Sequence, residues 1–341
     1  MIQTCVGALR PCVDHRRVDV PDCDSYIVPG GTAVYPNNNL AVYGSQQNIT
    51  AYAPEAYSSY NGLALQLNKR FSNNFSYIAA YTWSHLLDDA TATNFSTYLT
   101  PRRAQDFQDL RAEWASSALD HRQRFTLTPI YDWKPFNNRG WFIRNVVGNW
   151  NISGTYTYET PEYATVQSGI DSNLNNDSAG DRAIINPAGV ATAGTDVTGY
   201  NSLGQAVCLG SQSGSSACPN ASTIVAYVAN NPNARYVLAG TGAMANSGRN
   251  TFPLKPTNNI DAGLRKQFDF GERVRFNIGG QFLNLLNHPQ FTGGYINDVS
   301  LNAFAAIARN ELVPSDPLFG RFDQFYTCNS RQIQIFAKLT F

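Results

Sequence analysis

Seven stretches of the chain alternate between apolar and polar side chains with a period of two. One side of each reads Leu63, Leu65, Leu67, Lys69, Phe71; then Phe75, Tyr77, Ala79, Tyr81, Trp83; then Phe125, Leu127, Pro129, Tyr131. It continues Trp150, Ile152, Gly154, Tyr156, Tyr158; Ile260, Ala262, Leu264, Phe268; Val274, Phe276, Ile278, Gly280, Phe282; and, in the last stretch, Arg331 to Phe341, Ile333, Ile335, Ala337, Leu339, Phe341. Successive side chains of a strand point to opposite sides, so each stretch predicts a strand with one apolar face. The opposite sides are wet: Arg124, Thr126, Thr128, or Asn151, Ser153, Thr155, Thr157, or Arg273, Arg275, Asn277, Gln281. A weaker alternation between Leu40 and Tyr52 predicts an eighth strand. No stretch sustains a helical period.

The connections sort these strands. Residues 72–74 and 269–272 make short links, and 134–149 a moderate one. The other three are long loops, 84–119, 159–258 and 287–330. Along the chain the order is short, long, moderate, long, short, long. In an up-and-down sheet every long loop then emerges on one side, the layout of an outer-membrane barrel. Phe71, Phe75, Tyr131, Trp133, Trp150, Phe268 and Phe341 all fall at the short-link ends, where they predict an aromatic girdle at one membrane interface. The expected fold is all-β: an antiparallel up-and-down transmembrane β-barrel, partial, with about seven to eight strands and long external loops. A soluble β-rich module also has one apolar face, turned inward, and is the alternative at this point.

Composition narrows the function classes. Charged residues are 15% of the chain, against about 25% in soluble domains. Net charge is zero and the pI is 6.9, so no basic surplus points to nucleic acid. No apolar run approaches the ~20 residues of a membrane helix. The start, Met1 to Val20, lacks the basic leader and apolar core of a signal peptide, and the expectation is that Met1 is internal to a longer reading frame.

Candidate chemistry is sparse. Six cysteines stand at 5, 12, 23, 208, 218 and 328 without a C-x-x-C. Cys208 and Cys218 flank a Gly/Ser-rich span that is able to close as a disulfide in an oxidising compartment. Cys5, Cys12, His15 and Cys23 match no common zinc spacing. Asp171, Asn173, Asn175 and Asp177 place oxygens at alternate positions, as a calcium loop does. However, Asn176 stands where that loop needs Gly, and Arg182 where it needs Glu, so the segment also reads as a polar turn. Calcium is the one cofactor suggested; otherwise none is expected. Gly240, Gly242 and Ala245 have G-x-G-x-x-A spacing, but a helix-breaking stretch follows, which a dinucleotide site does not tolerate. The four histidines are scattered, G-x-S-x-G and H-E-x-x-H are absent, and no enzyme is expected. His121, between Asp120 and Arg122, reads as part of an ionic network at a strand mouth.

Five stretches carry a family resemblance. "SYNGLALQLNKRFSNNFSYIAAYTWSHLLDDA" (59–90), "DHRQRFTLTPIYDWKPF" (120–136), "NSGRNTFPLKPTNNIDAGLRKQF" (246–268), "RVRFNIGGQFLNLLNHPQF" (273–291) and "FGRFDQFYTCNSRQIQIFAKLTF" (319–341) resemble, in this order, the C-terminal barrel of Oar-like TonB-dependent receptors of Gram-negative bacteria. The resemblance covers about residues 35–341; residues 1–34 are an atypical segment, foreign to the family or disordered. It implies an outer-membrane location and energised uptake of a bulky ligand bound by loops 84–119 and 160–257. TonB would act only through a plug that this chain does not display. Such barrels have about 22 strands, so the chain is expected to be roughly the last third, a fragment without plug or signal peptide. The resemblance also makes the apolar terminus, with Ile335, Leu339 and Phe341, a signal for the barrel-assembly machinery, and Arg124, Arg273, Arg275 and Gln281 lumen lining. Its partners would be the outer-membrane bilayer, that machinery and an unknown ligand. A surface structural or adhesion protein without transport is the alternative of another class.

Overall fold

A computed structural model describes residues 26–28, 32–34, 56–90, 95–97, 104–105, 109–135, 140–174, 181–243, 245–271, 273–291, 295–297, 310–325 and 329–341. Its main feature is one antiparallel sheet of seven long strands in sequence order. They are β1 (Ser58–Ser72), β2 (Phe75–Asp88), β3 (Gln123–Trp133), β4 (Trp150–Glu159), β5 (Thr257–Phe270), β6 (Val274–Leu283) and β7 (Gln332–Thr340). Each corresponds to one of the seven alternating stretches. Among the described residues the sheet does not close: β1 and β7 each keep one unpaired edge. The weak alternation at 40–52 lies outside the described residues.

Register turns seven separate alternations into one surface. Phe75 lies opposite Tyr131, Tyr131 opposite Ile152, Ile152 opposite Leu264, Leu264 opposite Gly280, and Gly280 opposite Ile335. A parallel row runs Leu67, Ala79, Leu127, Tyr156, Ile260. Residues directly opposite share a face, so every apolar stripe joins its neighbours. The other face carries rows such as Gln66, Ala80, Thr126, Thr157, Asn259 and Ser153, Gly263, Gln281, Gln334. A one-residue slip anywhere would place polar groups among apolar ones, which is what specifies the register. The row that begins at Phe75, beside the first turn, reaches Ile335 in mid-strand, the stagger expected of tilted strands.

The turns fit their residues. Asn73 and Asn74 both have positive φ, 52° and 61°, as a two-residue turn matched to strand twist requires. Pro129 stands inside the sheet, where its missing N–H would normally be a fault. It pairs with Tyr77 on one side, but the ladder to β4 is interrupted between Leu127 and Ile130, opposite Gly154. On the polar face, the Phe336 ring covers Gly279, where a Cβ would meet the ring at 2.5 Å.

Two expectations of extent are corrected. Loop 84–119 begins inside a strand, because β2 continues to Asp88 and pairs there with Ala115–Ser116. The link 134–149 contains a short helix, α1 (Trp141–Val146), which the absence of a helical period had hidden. Among the described residues no helix is long and apolar enough to cross a membrane.

The described parts of the long connections are packed. The described residues between 160 and 254 form small sheets: Ala234–Val237 between Ile184–Ile185 and Val190–Thr195, Val197–Asn201 between Ala206–Leu209 and Ile224–Ala229, and Phe252–Pro253 on Tyr163–Ala164. Their core gathers Ala164, Val166, Ala183, Tyr236, Phe252 and Leu254, with Leu312 and Phe322 supplied by the last long connection. The Phe252 ring lies 5.3 Å from Tyr236 and 5.5 Å from Phe322. Burying each such side chain contributes about 1.5–3 kcal/mol, so two loops distant in sequence form one cap over the long-loop end of the wall.

Candidate functional site

The junction of wall and cap holds a buried ionic network. Asp88 ends β2 and Glu113 sits in a 3-10 turn (Leu110–Glu113). Arg182 and Arg249 come from the cap. All four are buried. Arg249 Nη2 donates to the carboxylate and to the backbone carbonyl of Asp88, and its Nε donates to Glu113 O at 3.0 Å. Arg182 Nη2 donates to Glu113 Oε2. Glu113 Oε1 accepts from Gln105 N at 3.0 Å. Buried charge is costly unless paired and hydrogen-bonded, and here each carboxylate faces a guanidinium. Burial pulls the Arg182 pKa down, and Glu113 opposes that pull.

A second cluster stands beside it. Asp120 is buried; its Oδ1 accepts from Leu86 N at 2.8 Å and its Oδ2 from Arg122 Nε at 2.5 Å. Arg122 also reaches Ser116 Oγ at 3.0 Å and the His85 ring nitrogen Nε2 at 2.7 Å. His121 donates from Nδ1 to Thr160 O at 2.9 Å, and its Nε2 lies 3.8 Å from Glu162. The run Asp120–Arg122 is thus tied to β2, to the first long connection and to the start of the cap.

Glu162 gives this end a pH response. Burial raises its pKa above the ordinary 4.5, with His121 opposing the rise and Glu159 adding to it. The folded state therefore holds the proton more tightly than the unfolded chain. That stability is complete below about pH 4.5 and fades as the pH rises through the folded pKa. Glu162→Gln is expected to flatten this dependence and to leave the cap more protease-resistant than wild type at neutral pH. Limited proteolysis across a pH series measures it.

Within the cap, Cys208 and Cys218 form a disulfide. It closes a short loop beside the 3-10 turns Gly210–Gln212 and Ala221–Thr223. Loops of this size constrain the unfolded chain by about 2–3 kcal/mol. Reduction is expected to accelerate proteolysis of the cap with no effect on the wall, and Cys208→Ser with Cys218→Ser to reproduce it.

The sequence-derived candidates fall in separate places. Arg124 lies on the polar face at the cap end and pairs with Glu159 at 2.8 Å. Arg275 lies near the opposite end, 3.9 Å from Asp269. Gln281 sits between them, opposite Gly263 and Gln334. Arg273 stands in the turn before β6 rather than in a strand. Arg124, Gln281 and Arg275 share the polar face without converging on a point, and Arg273 is not on it. Ile335, Leu339 and Phe341 are exposed on β7 and at its end, Phe341 at 94%. Of the calcium-like set, Asn175 and Asp177 lie outside the described residues. Asp181, at the end of that segment, accepts from Ser172 N at 2.6 Å. Among the described residues no three His, Cys, Asp or Glu side chains are grouped to hold a metal. Gly240, from the dinucleotide-like spacing, lies under the Tyr227 ring, which a Cβ would meet at 2.4 Å, and Tyr227 donates to Thr241 O at 2.9 Å. Gly240 serves ring packing, and Gly242 a positive-φ turn at 81°.

Sequence reasoning missed Glu113 and Arg249 as members of a network. Arg249 lies in the "SGRN" of a family-like stretch, and Glu113 in a loop; neither position has a periodic signal. For Arg249 the one available hint was scarcity, since a charge in a charge-poor loop needs a partner; Glu113 stands in loop 84–119 among several other charged residues, which hid it.

A family model, described as an outer membrane beta barrel domain, matches residues 15–334. No curated protein and no solved structure matches the chain.

Proposed function

The chain belongs to the outer membrane beta barrel domain family, and from this premise we propose that it forms part of the wall and the external cap of an Oar-like TonB-dependent receptor. An outer-membrane location in a Gram-negative bacterium and association with its bilayer follow from the family itself. In the proposed reading the intact receptor takes up a bulky ligand with energy delivered through TonB and a plug. The cap then makes first contact with the ligand, and the polar face of the wall lines its path.

The observation that carries this reading is the open seven-stranded wall under a packed cap. Unpaired strand edges in hydrocarbon leave backbone groups without hydrogen bonds, which a membrane does not tolerate. Among the described residues the edges of β1 and β7 are unpaired, and the proposed reading pairs them with further strands, as in a larger barrel. In the bacterium that carries it, loss of the coding region should abolish depletion of one class of bulky solute from the medium, measured by mass spectrometry. Collapse of the proton-motive force should do the same to the intact strain. Depletion that persists after collapse would rule energised transport out.

Adhesion without transport is favoured by one feature. The sheet around Val197–Asn201 presents Leu203, Val225 and Val228 to solvent, apolar groups placed where a surface partner would meet them. Normal solute depletion together with lost surface attachment in the deletion strain would select this reading.

A further inference from the structure

Helix α1 turns its polar side inward and leaves its apolar side open. Asn145 is buried; its Oδ1 accepts from Asp269 N at 2.8 Å, and its Nδ2 donates to Trp141 O at 3.2 Å. Trp141 Nε1 donates to Asp269 O at 2.7 Å, and Asn149 Nδ2 to Asp269 Oδ2 at 3.2 Å. The end of β5 thus grips the helix through Asp269. The other side carries Trp141, Phe142, Ile143, Val146 and Val147, all exposed, Phe142 at 67%. A firmly held element with five large apolar groups in the open marks an interaction surface.

Three contacts place this segment on the apolar face of the wall. The Trp141 ring lies 5.8 Å from that of Phe270. Lys266 Nζ donates to Gly148 O while standing 4.9 Å over the Trp150 ring. Trp150 Nε1 donates to Val147 O at 2.9 Å. Phe270, Lys266 and Trp150 share the face of Leu264, by strand period and by the Lys266–Trp150 pairing. The helix also lies at the short-turn end, beside the aromatic row. Its link, 134–149, contains Lys134, Arg139 and Arg144 and no acidic residue.

We propose that α1 is a membrane-interface anchor seated in the inner, phospholipid leaflet of the outer membrane. The occupant of its apolar side is lipid, because that side continues the face of the wall that meets the acyl chains. Elements of this kind sink about 5–10 Å into the headgroup and acyl boundary. The net positive charge of the link suits the phosphates there, although Lys134 itself pairs with Asp132 at 3.1 Å, and the aromatic side chains hold the depth. The inference rests on the membrane-spanning reading of the wall.

Two tryptophan reporters separate the two claims. Phe142→Trp adds emission at an exposed site without removing a packing contact. Leu65→Trp, also at an exposed position, reports on the middle of the wall. The full chain, extracted from outer membranes, is reconstituted into phospholipid vesicles carrying bromines either near the headgroup or near the chain ends. The added emission at 142 is expected to be quenched mainly by shallow bromines and little by aqueous acrylamide, and that at 65 mainly by deep bromines. Quenching at 65 by bromines but at 142 only by acrylamide would overturn the anchor and leave the wall intact. Protection of 142 from both quenchers would overturn it in favour of a protein partner or a second copy. Failure of bromines at both positions would sink the membrane reading itself.

Discussion

Replacing Arg249 with methionine is expected to release the cap from the wall at a cost of about 3–5 kcal/mol. The side chain is buried and serves two acceptors on Asp88 and the backbone carbonyl of Glu113. Its loss leaves the Asp88 carboxylate buried with its cation removed, and weakens the charge balance around Glu113. Breaking one member of a buried pair costs more than the pair contributes, because the remaining charge has lost its compensation. Adding Asp88→Asn to Arg249→Met should therefore recover part of the loss, as coupled neighbours are not additive. Protease resistance of residues 181–243 during heating reads the effect. Unchanged resistance in Arg249→Met would remove the network from the account of how the cap is held.

The second large effect concerns the wall. Leu264 lies at the middle of β5, in the row that joins Ile152 to Gly280 and Ile335. Leu264→Arg would put a charge at the centre of the lipid-facing surface, at a cost of about 2–4 kcal/mol near the bilayer midplane. Thr126→Arg, on the opposite polar face of β3, should be tolerated. Outer-membrane yields and urea midpoints of the two variants give the comparison. Equal tolerance would mean that the two faces have been assigned to the wrong solvents.

How much of this was legible in the sequence differs by element. The seven strands were legible because period two is a strong signal and both faces had a consistent solvent. Their mutual register added information that no single strand carries: Leu264 faces Gly280 and Ile152 only once the turns have set the offset. Helix α1 was not legible. Six residues give less than two turns, too few for a helical period or for independent stability. It exists because Asp269, more than a hundred residues later in the chain, accepts from Trp141 and exchanges hydrogen bonds with Asn145. The cap was read as a loop for a similar reason. Tyr236, Phe252 and Leu312 meet across long sequence separations, and nothing local announces that they will. The ionic cluster around His121 was anticipated from Asp120 and Arg122 standing beside it, whereas Arg249 and Glu113 belong to the part only the fold brings together.

In the proposed reading the wall spans the outer membrane with the cap outside and the short turns inside. An epitope inserted at the exposed Leu203–Gly204 turn of the cap and another between Asn73 and Asn74 would test it directly, each probed by antibody on intact and on permeabilised cells. The account predicts that the cap epitope is stained on intact cells and the turn epitope only after permeabilisation. Staining of the turn epitope on intact cells, or recovery of both epitopes in the soluble fraction, would contradict it.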